Sequence, residues 1–226
     1  MNKLYSKTLS IEITRRCNMS CTHCLRGDAQ ILDIGHQHIK NVLKHFKDIH
    51  HLNITGGEPS LNPKAMRYIL DQLKHYNIHV YDFYIVTNGS NSSISKEFID
   101  ICCQLYEYQE EKDESHFMLE MSDDIYHDNR SHKNVISQLR QYPFFGLRNQ
   151  SENIFLFKEG RSTKGYPNPI HRIYLTTENY VYGDIYLNAE GNILSNGDLC
   201  YQRQKENILC ASGDFLSYIK TTLETE

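Results

Sequence analysis

The chain has no tryptophan, no stretch near the roughly 18 consecutive apolar residues of a membrane span, no apolar h-region in its start MNKLYSKTLSIEIT, and no surplus of basic residues. The missing tryptophan is compositional, of the kind AT-rich genomes produce, and excludes nothing. The missing span and signal segment exclude an inserted or exported chain and predict a soluble, cytoplasmic one. Lys and Arg number 24 against 28 Asp and Glu, a net charge of -4, so no basic face exists for sequence-independent nucleic-acid binding. Neither nucleic acid nor membrane is therefore an expected partner. The 12 histidines never form His-Glu-x-x-His, and no Gly-rich loop ends in Lys-Ser/Thr, which removes a hydrolytic zinc centre and nucleotide hydrolysis.

What is present fills 226 residues, enough for one large domain that buries a core and holds a cofactor. Thr8 to Thr14 alternates and is β-branched, the pattern of a first strand. Ile39, Val42, Leu43, Phe46 and Ile49 recur at spacings of three and four, predicting a helix over 35–48, with a short strand over 51–55. Pro63 suits a helix start with Met66, Ile69, Leu70 and Leu73 inward, and Val80 to Thr87 reads as a third strand closed by Asn88-Gly89. A helix over 93–110 directs Phe98, Ile99, Cys102 and Leu105 inward. A fourth strand follows over 117–121, a helix over 134–142 and a fifth strand over 153–157. Strands alternating with helices imply right-handed crossovers and a parallel sheet, whose functional groups gather in the loops after the strands. Beyond Pro169, strands over 170–175, 180–187 and 192–194 include a hairpin, and a helix over 214–223 closes the chain. No repeat or Pro/Ser-rich linker divides the chain. We expect one domain, with residues 1–165 as its core and 166–226 completing it.

Seven cysteines form an odd set in a chain with no export signal, which favours metal ligation or reactivity over disulfides. Cys17, Cys21 and Cys24 lie on one short loop after the first strand. Three thiolates on a loop wrap a cluster without supplying the four of an ordinary electron-transfer iron–sulfur centre, so one iron stays open to a small molecule. A zinc site completed by His23 or a neighbouring histidine, or free thiols, are the alternatives from spacing alone.

The run Cys17-Asn18-Met19-Ser20-Cys21-Thr22-His23-Cys24, with Thr55-Gly56-Gly57-Glu58-Pro59 one helix and one strand later, resembles the paired signature of radical S-adenosylmethionine (SAM) enzymes. The resemblance covers about residues 9 to 160. It implies an α/β fold, a partial (βα)6 TIM-like barrel to which the C-terminal hairpin and helix are added. It also implies a 4Fe-4S cluster on Cys17, Cys21 and Cys24, whose fourth iron is chelated by the amino and carboxylate groups of SAM. Such a protein is oxygen-sensitive and takes its electron from a flavodoxin- or ferredoxin-like donor.

The glycines at 56 and 57 would let backbone approach the methionine moiety, with the Glu58 carboxylate set against its ammonium group and Pro59 fixing the exit of the turn. His23, where the family has an aromatic residue, is an adenine-side or packing residue. Asn88 follows the third strand and is a cofactor contact or a plain turn residue. Alternation turns Glu120 and Ser122 to one face, making Ser122 the preferred contact, with Asp123 and Asp124 as alternatives. Arg161, after Lys158, neutralises the SAM carboxylate or a substrate acid, or is a solvated loop charge.

Cys102 and Cys103 are adjacent on a helix, so at least one packs in the core. The run Tyr186 to Leu194 is similar to the start of the auxiliary-cluster extension of peptide-modifying relatives. Ser195 and Asn196 stand where a cysteine generally follows, so one cluster is expected. Cys200 or Cys210 is then structural or a hydrogen-atom donor, and Asp198 and Tyr201 are candidate lining residues. The chain leaves no room for a separate leader-peptide domain, yet its hairpin favours a peptide or protein substrate. A small metabolite or nucleotide, or a non-catalytic iron–sulfur or zinc binding protein, are the competing readings.

Overall fold

A computed structural model of the chain describes residues 3–112, 116–148 and 156–224. Strands β1 (Leu4–Thr14), β2 (Phe46–Gly56), β3 (His79–Thr87), β4 (Leu119–Ser122) and β5 (Phe145–Arg148) pair in chain order, all parallel. Helices α1 (His36–Leu43), α2 (Pro63–Tyr76), α3 (Lys96–Tyr108) and α4 (His132–Leu139) connect them. Successive right-handed crossovers in one direction put all four helices on the same face of the sheet. On the other flank of β1 lies β7 (Tyr180–Leu187), again parallel, followed by antiparallel β8 (Asn192–Leu194) and β9 (Cys210–Ala211), while β6 (Tyr174–Leu175) pairs with β7. Helices α5 (Tyr201–Glu206) and α6 (Phe215–Thr221) complete the chain. This is a mixed α/β fold with an open, barrel-like parallel sheet, and no described helix is long and apolar enough to cross a membrane.

Local chemistry explains the helix ends. The Asn62 side chain accepts from the Ala65 N–H, Pro63 starts α2, and Asn77 closes it in the left-handed region at φ 52°. The Ser95 hydroxyl accepts from the Phe98 N–H to open α3. Leu9, Ile11, Leu52, Ile54, Ile85 and Met121 from the strands meet Ile39, Met66, Ile69, Phe98 and Val135 from the helices in one buried core. The opposite face of the sheet is polar, with Ser10 bonded to Asn53 and Tyr84 to Glu120.

Several boundaries differ from the sequence reading. Helix α1 ends at Leu43 because Phe46 and Ile49, which extend its stripe, already belong to β2. Phe46, Ile49 and Leu52 are buried at three-residue spacing within a strand, and this imitates a helical period. The fifth strand is Phe145–Arg148 rather than 153–157; of the latter, 153–155 lie outside the described residues and Phe157 makes a single bridge to Tyr166. In α3 the fourth buried residue is Ile101, with Ile99 only partly covered. The strand expected over 170–175 is reduced to Tyr174–Leu175. Helix α5 and strand β9 were not expected.

Candidate active site

The cysteine loop leaves β1 at Thr14, and its far end is pinned back to the strand. The Thr14 hydroxyl donates to Asp33 Oδ1 (2.6 Å), and the Arg15 N–H donates to the Leu32 carbonyl (2.8 Å). Between these anchors Cys17, Cys21 and Cys24 are all unpaired and half-buried, and a tight turn carries the Cys24 N–H to the Cys21 carbonyl (3.2 Å). Cys21 and Cys24 lie near enough to Cys17 for their charges to act on it. Burial pushes the Cys17 thiol up, and the charges of Glu58, Cys24 and Cys21 raise it further. Three thiolates so placed repel one another, and bound iron would relieve that repulsion, so the donor set fits an iron–sulfur cluster.

The segment Gly56 to Pro59 runs directly beside the root of this loop. The Gly57 N–H donates to the Thr14 carbonyl and the Glu58 N–H to the Arg16 carbonyl, both at 2.8 Å. A Cβ on Gly56 would lie 2.4 Å from the Thr14 oxygen, and one on Gly57 2.3 Å from the Arg16 oxygen. Side chains are thus excluded here by the chain's own backbone, not only by an approaching ligand.

Glu58 is held within the protein. Its carboxylate is 1% exposed and accepts from the Ser60 N–H (3.0 Å), the Thr87 hydroxyl (2.8 Å) and the Asn88 N–H (2.8 Å). Burial raises its pKa against those hydrogen bonds. The carboxylate points into the protein and ties the loop after β2 to the loop after β3. Pro59 opens the single 3-10 turn, Pro59–Leu61, that leads to α2.

Asn88 lies beside the cysteine loop. Its side-chain amide donates to Asn18 Oδ1 (3.0 Å) and reaches Cys17 Sγ (3.7 Å), and its carbonyl meets His132 Nε2 (3.1 Å). Ser122 ends β4 on the same face as Glu120, the orientation that alternation predicts, and stands opposite Arg148 of β5. His23 is half-buried, with its ring 4.6 Å from that of Tyr126 and 5.0 Å from that of His127, and its Nδ1 atom is buried without a partner. Burial, followed by neighbouring His127, lowers its pKa, which keeps the imidazole neutral.

Arg161 does not face outward as a free cation. Its N–H donates to the Cys24 carbonyl (2.9 Å), and its guanidinium holds Ser20 Oγ (2.7 Å) and Asp28 (3.3 Å). It clamps the cysteine loop. Its neighbour Gly160, at φ 57°, packs so closely that a Cβ would sit 2.4 Å from the Leu25 carbonyl and 2.6 Å from that of Cys24. Glu159, 4% exposed, accepts from the Cys200 N–H and binds the Arg203 guanidinium, so the same segment reaches α5. Tyr201 donates its N–H to the Arg26 carbonyl and lies under the Arg15 guanidinium, 4.4 Å from ring to cation. Cys200 thereby stands beside the loop. Cys210 lies in β9, its thiol pushed up to about 11 by burial. Cys102 is buried in the core.

Asp124 and His127, from the loop after β4, are also part of the site. Asp124 was an alternative in the sequence; His127 was not singled out, because a lone loop histidine carries no spacing signal. Asp124 bonds His127 Nδ1 (2.8 Å). Burial opposes the charged imidazole, but Asp124 and the Cys21 thiol outweigh it and raise His127 to about 9. Together with His23 their ligand atoms lie within 4.8 Å of one another, beside the cysteine loop.

The Radical SAM superfamily profile matches residues 11–139. The putative peptide biosynthesis protein YydG of Bacillus subtilis is 27% identical over 150 residues, covering 62% of this chain and 44% of its own. An uncharacterized protein of Methanocaldococcus jannaschii, MJ0907, is 27% identical over 104 residues, 42% of this chain and 35% of its own. This chain therefore spans less than half the length of either relative. Among solved structures, hexahistidine-tagged anSMEcpe with bound AdoMet superposes with a TM-score of 0.61 at 11% identity, covering 96% of this chain and 80% of that one, a likeness of fold. With more than half of its residues matched by the profile, the chain belongs to the radical SAM superfamily.

Proposed function

We propose that Cys17, Cys21 and Cys24 hold a 4Fe-4S cluster, with SAM on its open iron, and that the enzyme removes a hydrogen atom from a peptide or protein. The observation that carries this reading is the pairing of the Gly57 and Glu58 backbone with Thr14 and Arg16, which sets the second motif at the foot of the cysteine loop. When bound and reduced, the cluster supplies the electron that splits SAM to methionine and a 5'-deoxyadenosyl radical. The protein's part is positioning. Backbone from Gly56 to Pro59, with Ser122 and neutral His23, lines the place for SAM. Glu58 fixes that backbone from inside, Asn88 orients Cys17, and Arg161 secures the loop between Ser20 and Asp28.

The peptide assignment is supported by the name of the YydG relative and by the β7–β8 hairpin that follows the core. A small reducing partner of flavodoxin or ferredoxin type suits a half-exposed cysteine loop, and a reduced cytoplasmic compartment suits seven free thiols. Anaerobic reconstitution with iron and sulfide tests the core of the proposal. We expect a brown, air-sensitive protein that forms 5'-deoxyadenosine from SAM and dithionite, and Cys24→Ala should lose both colour and product. A reconstituted cluster that leaves SAM intact, or a colourless zinc-loaded chain, would refute it. Turnover of a small metabolite but of no peptide would refute the substrate assignment alone.

A further inference from the structure

In an ordinary strand successive side chains alternate between faces. Three neighbouring strands here break that rule in the same row. In β1 Ser6 and Leu9 are buried with Lys7 and Thr8 turned away between them; in β2 Ile49 and Leu52 flank His50 and His51; in β3 Val80 and Phe83 flank Tyr81 and Asp82. The flanking residues are register partners: Ser6 opposite Ile49 opposite Val80, and Leu9 opposite Leu52 opposite Phe83. β7 joins the row with Val181 and Ile185, opposite Ser6 and Leu9, and its register shift includes Gly183 at φ 89°. β1, β2 and β3 therefore each turn two consecutive residues away from the helices, in register with one another, while β7 carries an extra residue there.

The consequence is that two consecutive histidines share a side. His50 Nδ1 lies 3.0 Å from His51 Nε2, and the two rings are 4.3 Å apart. His51 Nδ1 is 2.9 Å from both oxygens of Asp82, its register partner on β3. One ligand atom from each of the three residues falls within 4.8 Å of the others. Two imidazole nitrogens and a carboxylate oxygen are the donor set of borderline divalent ions, zinc foremost. A zinc ion with ligands at about 2.0–2.2 Å needs them about 3.5 Å apart, a closure that the exposed His50 ring can make by a rotamer change. His51 precedes Gly56 by five residues, so the place is about 17 Å along β2 from the cysteine loop at 3.3 Å per residue.

We propose that His50, His51 and Asp82 form a site for a zinc-class divalent ion, separate from the cysteine loop, with a fourth position left to water or to a carboxylate or carbonyl of a bound molecule. The proposal stands independently of the radical reaction. It is tested on the anaerobically reconstituted protein, whose cysteines are occupied by iron, by zinc titration calorimetry and by metal analysis after gel filtration. We expect one zinc per chain above the iron complement, with affinity at least tenfold weaker in His51→Gln and in Asp82→Asn, while iron content is unchanged. His50→Gln, an exposed change that spares the fold, should weaken zinc in the same direction. If reconstitution fails, a chain with Cys17, Cys21 and Cys24 all changed to Ala gives the same readout. No zinc bound, or zinc held equally well by His51→Gln and Asp82→Asn, overturns the proposal.

Discussion

Gly57→Ala separates two reasons for a glycine beside the cysteine loop. The added methyl would lie 2.3 Å from the Arg16 carbonyl oxygen, 2.8 Å from its carbon and 3.0 Å from the Arg15 oxygen, all of them backbone atoms. Ordinary contact needs about 1 Å more, so the two chain segments must part. That costs about 1–3 kcal/mol of overpacking. It also stretches the Gly57–Thr14 and Glu58–Arg16 hydrogen bonds, each worth about 1 kcal/mol. The sum, about 4 kcal/mol, corresponds to a Tm lower by about 10 °C in a chain of this size. The measurement is thermal unfolding of the metal-free protein, where a glycine needed only for ligand approach would be silent. A metal-free Gly57→Ala protein melting within about 2 °C of the parent would refute the backbone argument.

Glu58→Ala strands the Ser60 N–H, the Thr87 hydroxyl and the Asn88 N–H in the interior, so urea unfolding should show a loss of about 3 kcal/mol, with Glu58→Gln losing clearly less; equal losses would count against the carboxylate as the tie between the two loops. Arg161→Ala removes the clamp on Ser20 and Asp28, and the reconstituted cluster should bleach several-fold faster in air, read from its visible absorbance, while the melting temperature hardly changes. In the metal-free chain His127 is raised to about 9 against about 6.5 unfolded, so its contribution to stability is present below pH 6.5 and is lost as pH rises toward 9. The stability gap between the parent and His127→Gln should therefore shrink across that window, and a gap independent of pH would refute the Asp124–His127 pairing.

Much of the fold was legible because patterns repeat within short windows. β3 and α2 follow their predicted stripes, and β7 and β8 match residue for residue. What escaped depends on distance in sequence or on broken periodicity. Nothing in Tyr180 to Leu187 says that it lies beside β1, because that pairing joins residues about 175 apart. β5 is only four residues long, Phe145–Arg148, too short to show a period. In β2 the interrupted pleat looked helical. At the site the cysteines were readable from spacing and the Gly-Gly-Glu-Pro run from its resemblance to a family signature, whereas Asn18, His127 and Glu159 are single residues whose meaning comes only from the loops that meet them. Glu58 was found for its charge, yet the geometry uses that charge inward.

The clamp formed by Gly160 and Arg161 bears on how the protein matures. The thiol-bearing loop gets its final shape from contacts on two sides, one supplied within the first ninety residues and the other by residues 160 and 161, itself braced by Cys200 and Arg203. While the ribosome has yet to release that last third, the loop lacks half of its supports. Iron delivery should therefore follow translation rather than accompany it, and a nascent chain stalled before residue 160 should capture metal poorly however many of its thiols are already exposed.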